Sequence, residues 1–523
     1  MKQYQILLCE ALKLSTPASG VLPQDTAGWS APAMSRADDR CYSRALAFFL
    51  IILTIVRLIS LGFSNVDLFY DESQYWSWAQ DPSLGYFSKP PLLAWLLTGW
   101  TFLFGSSEWA VRAPAALIHG GTCFMIFMIA RHLYDGRTGF LAAIAAALAP
   151  GIVFSCRIIS TDVPLLFFWS VATFAYLKLL AGPSRLYGLL FGVSLGLGLL
   201  SKYAMIYFVT GMLVATFACP DSRSALRNPA IWSAMLLATV IVAPNVAWNY
   251  QHGFATFAHT GGLVLDEPFQ PSLTRAVEFL ASQFGVIGPL AFPIAFLAAI
   301  SFNSKDLTGS DRLMLAFFVT PVVAVTIFAV YSRAYPNWAS PSIVPALVVS
   351  TAIVLRRGWR RLFWASLAAG AIFQIVLLIT DVVAYQLPSI AHFSNPYRRV
   401  LGWRDYAENV EELAERLHAS TIVSDNRRAF STLRYYLRRS PQPVFSWRWN
   451  NEPAFDFLHG LSHDALEPIL FVTNCGNSRR LDKYFAGVRE LGVQPDFNRK
   501  SLRRFFAFEL TAPRSPVGPL ESC

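Results

Sequence analysis

Charge is what this chain has least of. Asp, Glu, Lys and Arg make up only 15% of its 523 residues against 54% apolar residues, and the mean hydropathy is +0.41, a balance outside that of soluble globular domains. The seven cysteines, Cys9, Cys41, Cys123, Cys156, Cys219, Cys475 and Cys523, contain no CxxC pair or other metal-ligand spacing, so no zinc or redox motif follows from them. A basic stripe is lacking despite the net charge of +10, because Lys and Arg are scattered through short segments, and nucleic acid is not an expected partner. Internal repeats, coiled-coil heptads and a lone secretion signal are lacking as well.

What is present is a series of apolar runs from Ala45 to Ala384, each able to cross a hydrocarbon core of roughly 30 Å. They read as Ala45–Phe63, Trp109–Ala130, Gly139–Ile159, Val163–Leu180, Leu186–Leu200, Tyr203–Phe217, Ile231–Ala247, Val277–Ile300, Leu313–Tyr331, Trp338–Leu355 and Leu362–Ala384, about eleven spans. Arg131 with Arg137, Arg223 with Arg227, Lys305 with Arg312, and Arg356, Arg357, Arg360 and Arg361 fall on alternate sides consistent with one cytoplasmic face. That orientation predicts a multi-pass protein of the bacterial inner membrane with Asp71, His259, Arg333 and the C-terminus on the periplasmic side.

The organisation expected is a disordered cytoplasmic leader over 1–42, with Met34 as an alternative start, and a transmembrane domain over 43–384. Within the latter, 64–107 is a first periplasmic loop, too polar to span, whose apolar, Trp-rich Pro91–Phe104 suits a helix lying along the interface. Residues 385–523 alternate a helical stretch, Tyr406–Leu417, with strand-like runs at Thr421–Val423, Ile469–Thr473 and Phe505–Leu510, which predicts a small periplasmic α/β domain. Cys475 and Cys523 would share an oxidising compartment, and a disulfide between them is left open.

The strongest chemical signal is Tyr70, Asp71 and Glu72 at the end of the first span, followed by Tyr75, Trp76 and then Gly85, Tyr86, Phe87, Ser88, Lys89, Pro90 and Pro91. Adjacent acids beside a membrane are costly to desolvate. A carboxylate there can serve as general base toward an acceptor hydroxyl, and a nearby Lys can neutralise a departing phosphate. The plainer alternative is that Asp71 and Glu72 cap an interfacial helix while Lys89 snorkels to head groups. From the residues alone both readings stand.

The stretch DESQYWSWAQDPSLGYFSKPPLLAWL, with SCRIISTDVPLLFFW, LLSKYAMIYF and SRAYPNWASPS further on, resembles bacterial relatives of the protein O-mannosyltransferases and of the lipid A aminoarabinose transferase, membrane glycosyltransferases of the GT-C class. The resemblance covers most of Ala45–Leu355. It implies an α-helical polytopic GT-C fold, a polyprenyl-phosphate-linked sugar donor, an inverting single displacement, and a catalytic acid at Asp71; Glu72, a like charge beside it, is expected to tune or position that acid. It places Lys89 on the donor phosphate, and Tyr86 in the same block is a further candidate substrate contact. It also matches Asp162, which orients the acceptor or pairs with Arg157, and Arg333, Tyr335 and Asn337 as phosphate or sugar contacts.

Lys202 and Tyr203, between two apolar spans on the outer side, are candidates for holding phosphate or a sugar carboxylate, with a lipid-facing turn as the alternative. His259 matches a His that some relatives use for a metal, but the acidic partner before KPP is Ser88 here. A divalent metal, though chemically possible, is therefore not supported, and no other cofactor is implied. The GWRDYAENVEELAERL stretch after the spans is weakly similar to relatives that modify lipopolysaccharide. Arg427, Arg428, Arg434, Arg438 and Arg439 near it read either as a receiver for an anionic acceptor or as a solvated helix face.

Together these predict transfer of a sugar from a polyprenyl phosphate, its phosphate held by Lys89 and Arg333, to a glycolipid acceptor such as lipid A or lipopolysaccharide core. Membrane lipid is the other expected partner. No outer loop is long enough for the sugar-binding insert of eukaryotic members, which makes protein O-mannosylation the lesser alternative. A carrier or flippase for a lipid-linked sugar is the other, and it would place ionisable residues near mid-bilayer rather than at one face. An inactive relative serving as a subunit of an envelope assembly is a third.

Overall fold

The computed structural model describes residues 36–265, 271–387, 395, 397–449, 455–461, 467–494, 503–514, 518–521 and 523. Residues 1–35 of the expected leader lie outside the described residues, and a helix has begun by Arg36. The chain forms two compact units, one from residues 1–62, 112–247 and 261–377, the other from 63–111, 248–260 and 378–523.

The first unit is helical, and the apolar runs do in it what hydrocarbon demands, closing their backbone hydrogen bonds within each segment. Among the described residues seven helices are long and apolar enough to span: Arg40–Gly62, Glu108–Leu133, Asp162–Leu180, Pro229–Gln251, Gly309–Tyr331, Pro336–Arg356 and Arg360–Val382. The chain is a multi-pass membrane protein. Tyr203–Ala218 and Pro220–Arg227 make an eighth if taken together, bent by 119°. The remaining expected runs are shorter or interrupted. Gly139–Ile159 is divided between Gly136–Ala147 and Pro150–Ser155 because Pro150 starts a new helix. Val277–Ile300 is divided near Gly288, whose φ of 125° no helix accommodates. Leu186–Leu200 becomes the helix Arg185–Ser201.

Hydropathy alone does not say which helices meet lipid. Phe48, Ile51, Ile55 and Ile59 of the first helix are exposed, a face that a bilayer covers, whereas Ile343–Val354 is buried throughout. The centre of the unit is aromatic: Trp169 packs edge-on against Phe208 at 5.0 Å, and Phe208 lies 4.8 Å from Phe317. Arg57, only 2% exposed, donates to the carbonyl of Ala147 and to Gln374 Oε1 (2.7 Å). A buried guanidinium thus satisfies the free carbonyl end of an interrupted helix, where a cation is also favoured by the helix dipole.

The second unit is built on a five-stranded sheet of β1 (Thr421–Ser424), β2 (Val444–Ser446), β3 (Ile469–Thr473), β4 (Phe485–Gln494) and β5 (Phe505–Pro513), in the order β2-β1-β3-β5-β4. The inner strand β1 runs parallel to β2 and β3, with Val423 opposite Phe471, and β5 runs antiparallel to β3 and β4. Continuous apolar strands suit such a position, and β1 and β3 are buried along their whole length. The helix Trp403–Arg416 buries Trp403, Tyr406, Ala407, Val410, Leu413 and Ala414, one stripe at helical spacing. Cys475, just past β3, is disulfide-bonded to Cys523, Cα–Cα 6.0 Å.

The segment after the first span packs with this sheet rather than standing alone, which the change of composition at Ala384 does not anticipate. Tyr70 packs against the cluster of Tyr406, Leu433 and Phe505, Trp76 meets Tyr435 edge-on at 5.1 Å, and Phe87 joins Phe430 and Phe455. Asp67, fully buried, accepts from Tyr385 Oη and the Trp403 amide, both at 2.9 Å, which fastens the loop to the start of the Trp403–Arg416 helix. Burial raises the Asp67 carboxyl above the usual range. The apolar stretch Pro91–Phe104 forms the helix Leu92–Phe104, with Phe102, Leu103 and Phe104 exposed at its end.

Candidate active site

Asp71 and Glu72 begin the helix Tyr70–Gln80, and helix geometry separates their fates. Successive residues diverge by about 100° around a helix, so adjacent acids cannot share a direction. Glu72 turns inward: it is fully buried and its carboxylate accepts the Phe69 amide at 2.9 Å, closing the open end of the helix. The capping alternative therefore describes Glu72 at the start of this helix. Asp71 turns outward with 30% of its side chain exposed, and one of its oxygens accepts from Arg427 Nη2 at 2.8 Å.

Arg427 is delivered by the sheet. Strand β1 ends at Ser424, the side chain of Asn426 accepts from the amides of Arg428 (2.9 Å) and Ala429 (3.2 Å), and the helix Arg427–Tyr436 starts at that cap. Its guanidinium also donates through Nε to Gln74 Oε1 at 3.1 Å. Asp71 and Gln74 are three apart and lie on one helix face, so a single planar side chain meets both. The arginine cluster is not a purely solvated face: Arg434 pairs with Asp81 at 3.3 Å, Arg428 lies over the Tyr70 ring at 4.8 Å, and Arg438 over Tyr435 at 4.5 Å, while Arg438 and Arg439 are exposed.

Lys89 lies in the same unit, in the bend before Pro90, Pro91 and the helix Leu92–Phe104. His259 connects the two ends of the constellation. Its ring sits 4.7 Å from that of Phe87, and burial together with the charges of Arg427 and Lys89 pushes the imidazole down to about 4. A neutral imidazole facing two cations is a poor seat for a divalent metal, and Ser88 brings a hydroxyl where an acid would be needed. Among the described residues no group of three or more His, Cys, Asp or Glu side chains is arranged to hold a metal ion.

The depressed His259 has a consequence for stability. Between pH 6.5, the ordinary value of the ring, and about pH 4, the unfolded chain binds a proton that the folded chain refuses. The stability this group allows is full above pH 6.5 and is lost as pH falls toward 4. His259→Gln is expected to show a flatter fall of unfolding midpoint with acidification than the parent chain. Parallel curves would mean that the folded imidazole takes up its proton normally.

Tyr86, expected as a substrate contact, is bonded within its own loop. Its ring stacks on Trp78 at 4.6 Å, and its hydroxyl accepts the Ser83 amide at 3.0 Å while facing the carbonyls of Trp78 (3.0 Å) and Asp81 (3.2 Å). Burial pushes the phenol up to about 12. The hydroxyl of Tyr86 thus ties together the backbone of the loop. Gly85 beside it lies so close to the Trp248 indole that any Cβ would overlap the ring, and Thr256 Oγ1 donates to the Tyr86 carbonyl at 2.7 Å.

The other expected residues lie in the membrane-spanning unit and form a set of their own. Asp162 opens the helix Asp162–Leu180 and accepts from Lys202 Nζ (2.8 Å), Asn337 Nδ2 (2.7 Å) and Ser340 Oγ (2.5 Å). The partner of Asp162 is therefore Lys202 and not Arg157, whose Nη1 donates to Ser60 Oγ at 2.6 Å. Lys202 ends the helix Arg185–Ser201 in an extended conformation, which turns its side chain toward Asp162 rather than toward lipid. Tyr203 Oη donates to Asn245 Oδ1 at 2.7 Å. Arg333 and Tyr335 are both exposed, the guanidinium 5.7 Å from the ring centre, in the segment before Pro336–Ser342. Asn337 is committed to Asp162.

Residue patterns did not single out Gln74, Asn245 or Ser340. Ser340 carried the best signal, three residues beyond Asn337 in a short helical turn. Gln74 carried the same spacing from Asp71.

Known proteins agree with this architecture. Residues 88–248 match the family described as dolichyl-phosphate-mannose-protein mannosyltransferase. The chain is 31% identical over 425 residues to the lipid A galacturonosyltransferase RgtD of Rhizobium johnstonii, covering 80% of this chain and 89% of that protein. It is 22% identical to the lipopolysaccharide core galacturonosyltransferase RgtB of the same organism, over 74% of this chain and 80% of the relative. In fold it is similar to the crystal structure of ArnT from Cupriavidus metallidurans bound to undecaprenyl phosphate, with a TM-score of 0.63 at 16% identity, covering 90% of this chain and 99% of that one.

Proposed function

The chain belongs to the GT-C family of polyprenyl-phosphate-dependent membrane glycosyltransferases, and from that premise we propose that it moves a uronic sugar, galacturonic acid by analogy with RgtD, from a polyprenyl phosphate to lipid A or lipopolysaccharide core at the periplasmic face of the inner membrane. The observation that carries the reading is the constellation of the second unit: an outward carboxylate on Asp71, fixed by Arg427, with Lys89 and Arg427 acting on one imidazole. A base and a cation are the two groups that displacement at an anomeric carbon requires from the protein.

In the proposed step an acceptor hydroxyl gives its proton to the outward oxygen of Asp71 while its oxygen bonds to the anomeric carbon from the face opposite the phosphate. The bond from that carbon to the phosphate oxygen breaks, and its electron pair leaves with the lipid phosphate. Lys89 neutralises the charge that develops there. Inversion follows from the single displacement, and the phosphate is a good enough leaving group that electrostatic stabilisation is the main demand. Within the membrane-spanning unit, Asp162 with Lys202 and Asn337 is proposed to hold the segment Pro336–Ser342 in place.

Mass spectrometry of lipid A and core from cells with and without the chain tests the reading. The expected result is loss of one uronic residue from one of these glycolipids. A glycolipid profile unchanged by the deletion would overturn it and favour transport of the lipid-linked sugar.

A further inference from the structure

We infer that Arg427 is a positioning residue for the carboxylate of Asp71, reaching the site from the C-terminal sheet. The inference rests on reading Asp71 as the base. Arg427 is the first residue of its helix, and its two contacts, Nη2 to Asp71 at 2.8 Å and Nε to Gln74 at 3.1 Å, use different nitrogens of one rigid plane. A guanidinium tied at two points fixes the orientation of what it holds, which a point charge on a flexible stem does not. With one oxygen of Asp71 occupied, the carboxylate presents its other oxygen in a set direction. A base that swings away from the hydroxyl loses the advantage of proximity, worth on the order of 100-fold for a displacement of about an ångström.

The simpler account, that Arg427 only docks one helix on the other, is met by the rest of the interface. Arg434 pairs with Asp81 at 3.3 Å from the same helix, and Tyr435 packs on Trp76 at 5.1 Å. The Arg427 and Asp71 side chains are 25% and 30% exposed, and ion pairs that wet contribute little to stability. What Arg427 adds is direction. It also places a residue far along the chain in the reaction, so that the sheet is part of the enzyme and not an appendage.

The test uses the full chain in proteoliposomes with undecaprenyl phosphate galacturonic acid as donor and lipid A as acceptor, comparing Arg427→Ala, Arg427→Lys, Arg434→Gln and Asp71→Asn. Arg427→Ala is expected to lower kcat on the order of 10- to 100-fold with KM for the acceptor little changed. Added guanidinium should restore part of that loss, and Arg427→Lys should fall less far. Arg434→Gln should keep near-parental turnover. Parental turnover in Arg427→Ala, with Asp71→Asn inactive, would overturn this inference and leave the base standing. So would equal losses in Arg427→Ala and Arg434→Gln without guanidinium rescue, since that pattern belongs to docking. Full activity in Asp71→Asn would instead remove the base on which the inference rests.

Discussion

Asp71→Asn is expected to lower sugar transfer by a factor on the order of 10²–10⁴ while leaving donor binding nearly unchanged. The amide matches the carboxylate in size, and its carbonyl oxygen can still accept from Arg427, which holds Asp71 at 2.8 Å in the parent chain. The geometry of the helix start is likewise preserved, because the cap is made by Glu72 and not by Asp71. What the amide cannot do is take a proton from an incoming hydroxyl. The acceptor oxygen must then attack with its proton in place, and the loss falls on kcat. Single-turnover measurements of product on lipid A, beside binding of undecaprenyl phosphate to the same preparation, separate the two quantities. Undiminished turnover in this variant would remove general-base catalysis by Asp71.

Lys89→Met is expected to reduce kcat/KM for the lipid-linked donor by about 10²–10³-fold, the scale of removing one preorganised charge from a developing anion. Methionine keeps most of the length and apolar body of the stem, so the loop before Pro90 and Pro91 should hold its course. Lys89→Arg, which keeps the charge, should retain far more activity. A second readout does not involve turnover. Lys89 is one of two cations that, with burial, hold His259 down to about 4, and its removal is expected to let the imidazole titrate at higher pH. A variant that raised the His259 titration yet kept parental kcat/KM would place Lys89 in the site but not on the phosphate.

Much of this was legible in the residues because the signals are local. Asp71 and Lys89 stand in one stretch between the first apolar run and the short apolar helix Leu92–Phe104, and the motif around them is short enough to be recognised as a string. Strands β1 and β3 announced themselves as apolar runs, since strands buried on both faces need no alternation, and β5 did so through its Phe-rich start. The divergence of Asp71 from Glu72 was only half visible. The rotation per residue says that two adjacent acids must part, but not which of them faces the interior.

The partners were not legible. Arg427 lies 356 residues beyond Asp71, and within its own neighbourhood it was one of several arginines with nothing to mark it. Arg157 stands nearer Asp162 in sequence than Lys202 does, yet Lys202 makes the bond, because the end of the Arg185–Ser201 helix turns it there. The interrupted runs at Pro150 and Gly288 kept a membrane-like hydropathy, which sums over residues and is blind to a break in the backbone.

By itself, then, the order of residues determined the membrane class, the number of apolar runs to within the interrupted ones, the C-terminal sheet and the loop that holds the acid and the lysine. These depend on composition and spacing within one segment, where burial is additive along the chain. Tertiary structure alone decided which cation holds which carboxylate, that the first loop packs with the C-terminal sheet, and that Tyr86 serves the loop. Charge pairing and hydrogen bonding require atoms within about 3 Å of one another, and only the folded path of the chain brings distant residues that close.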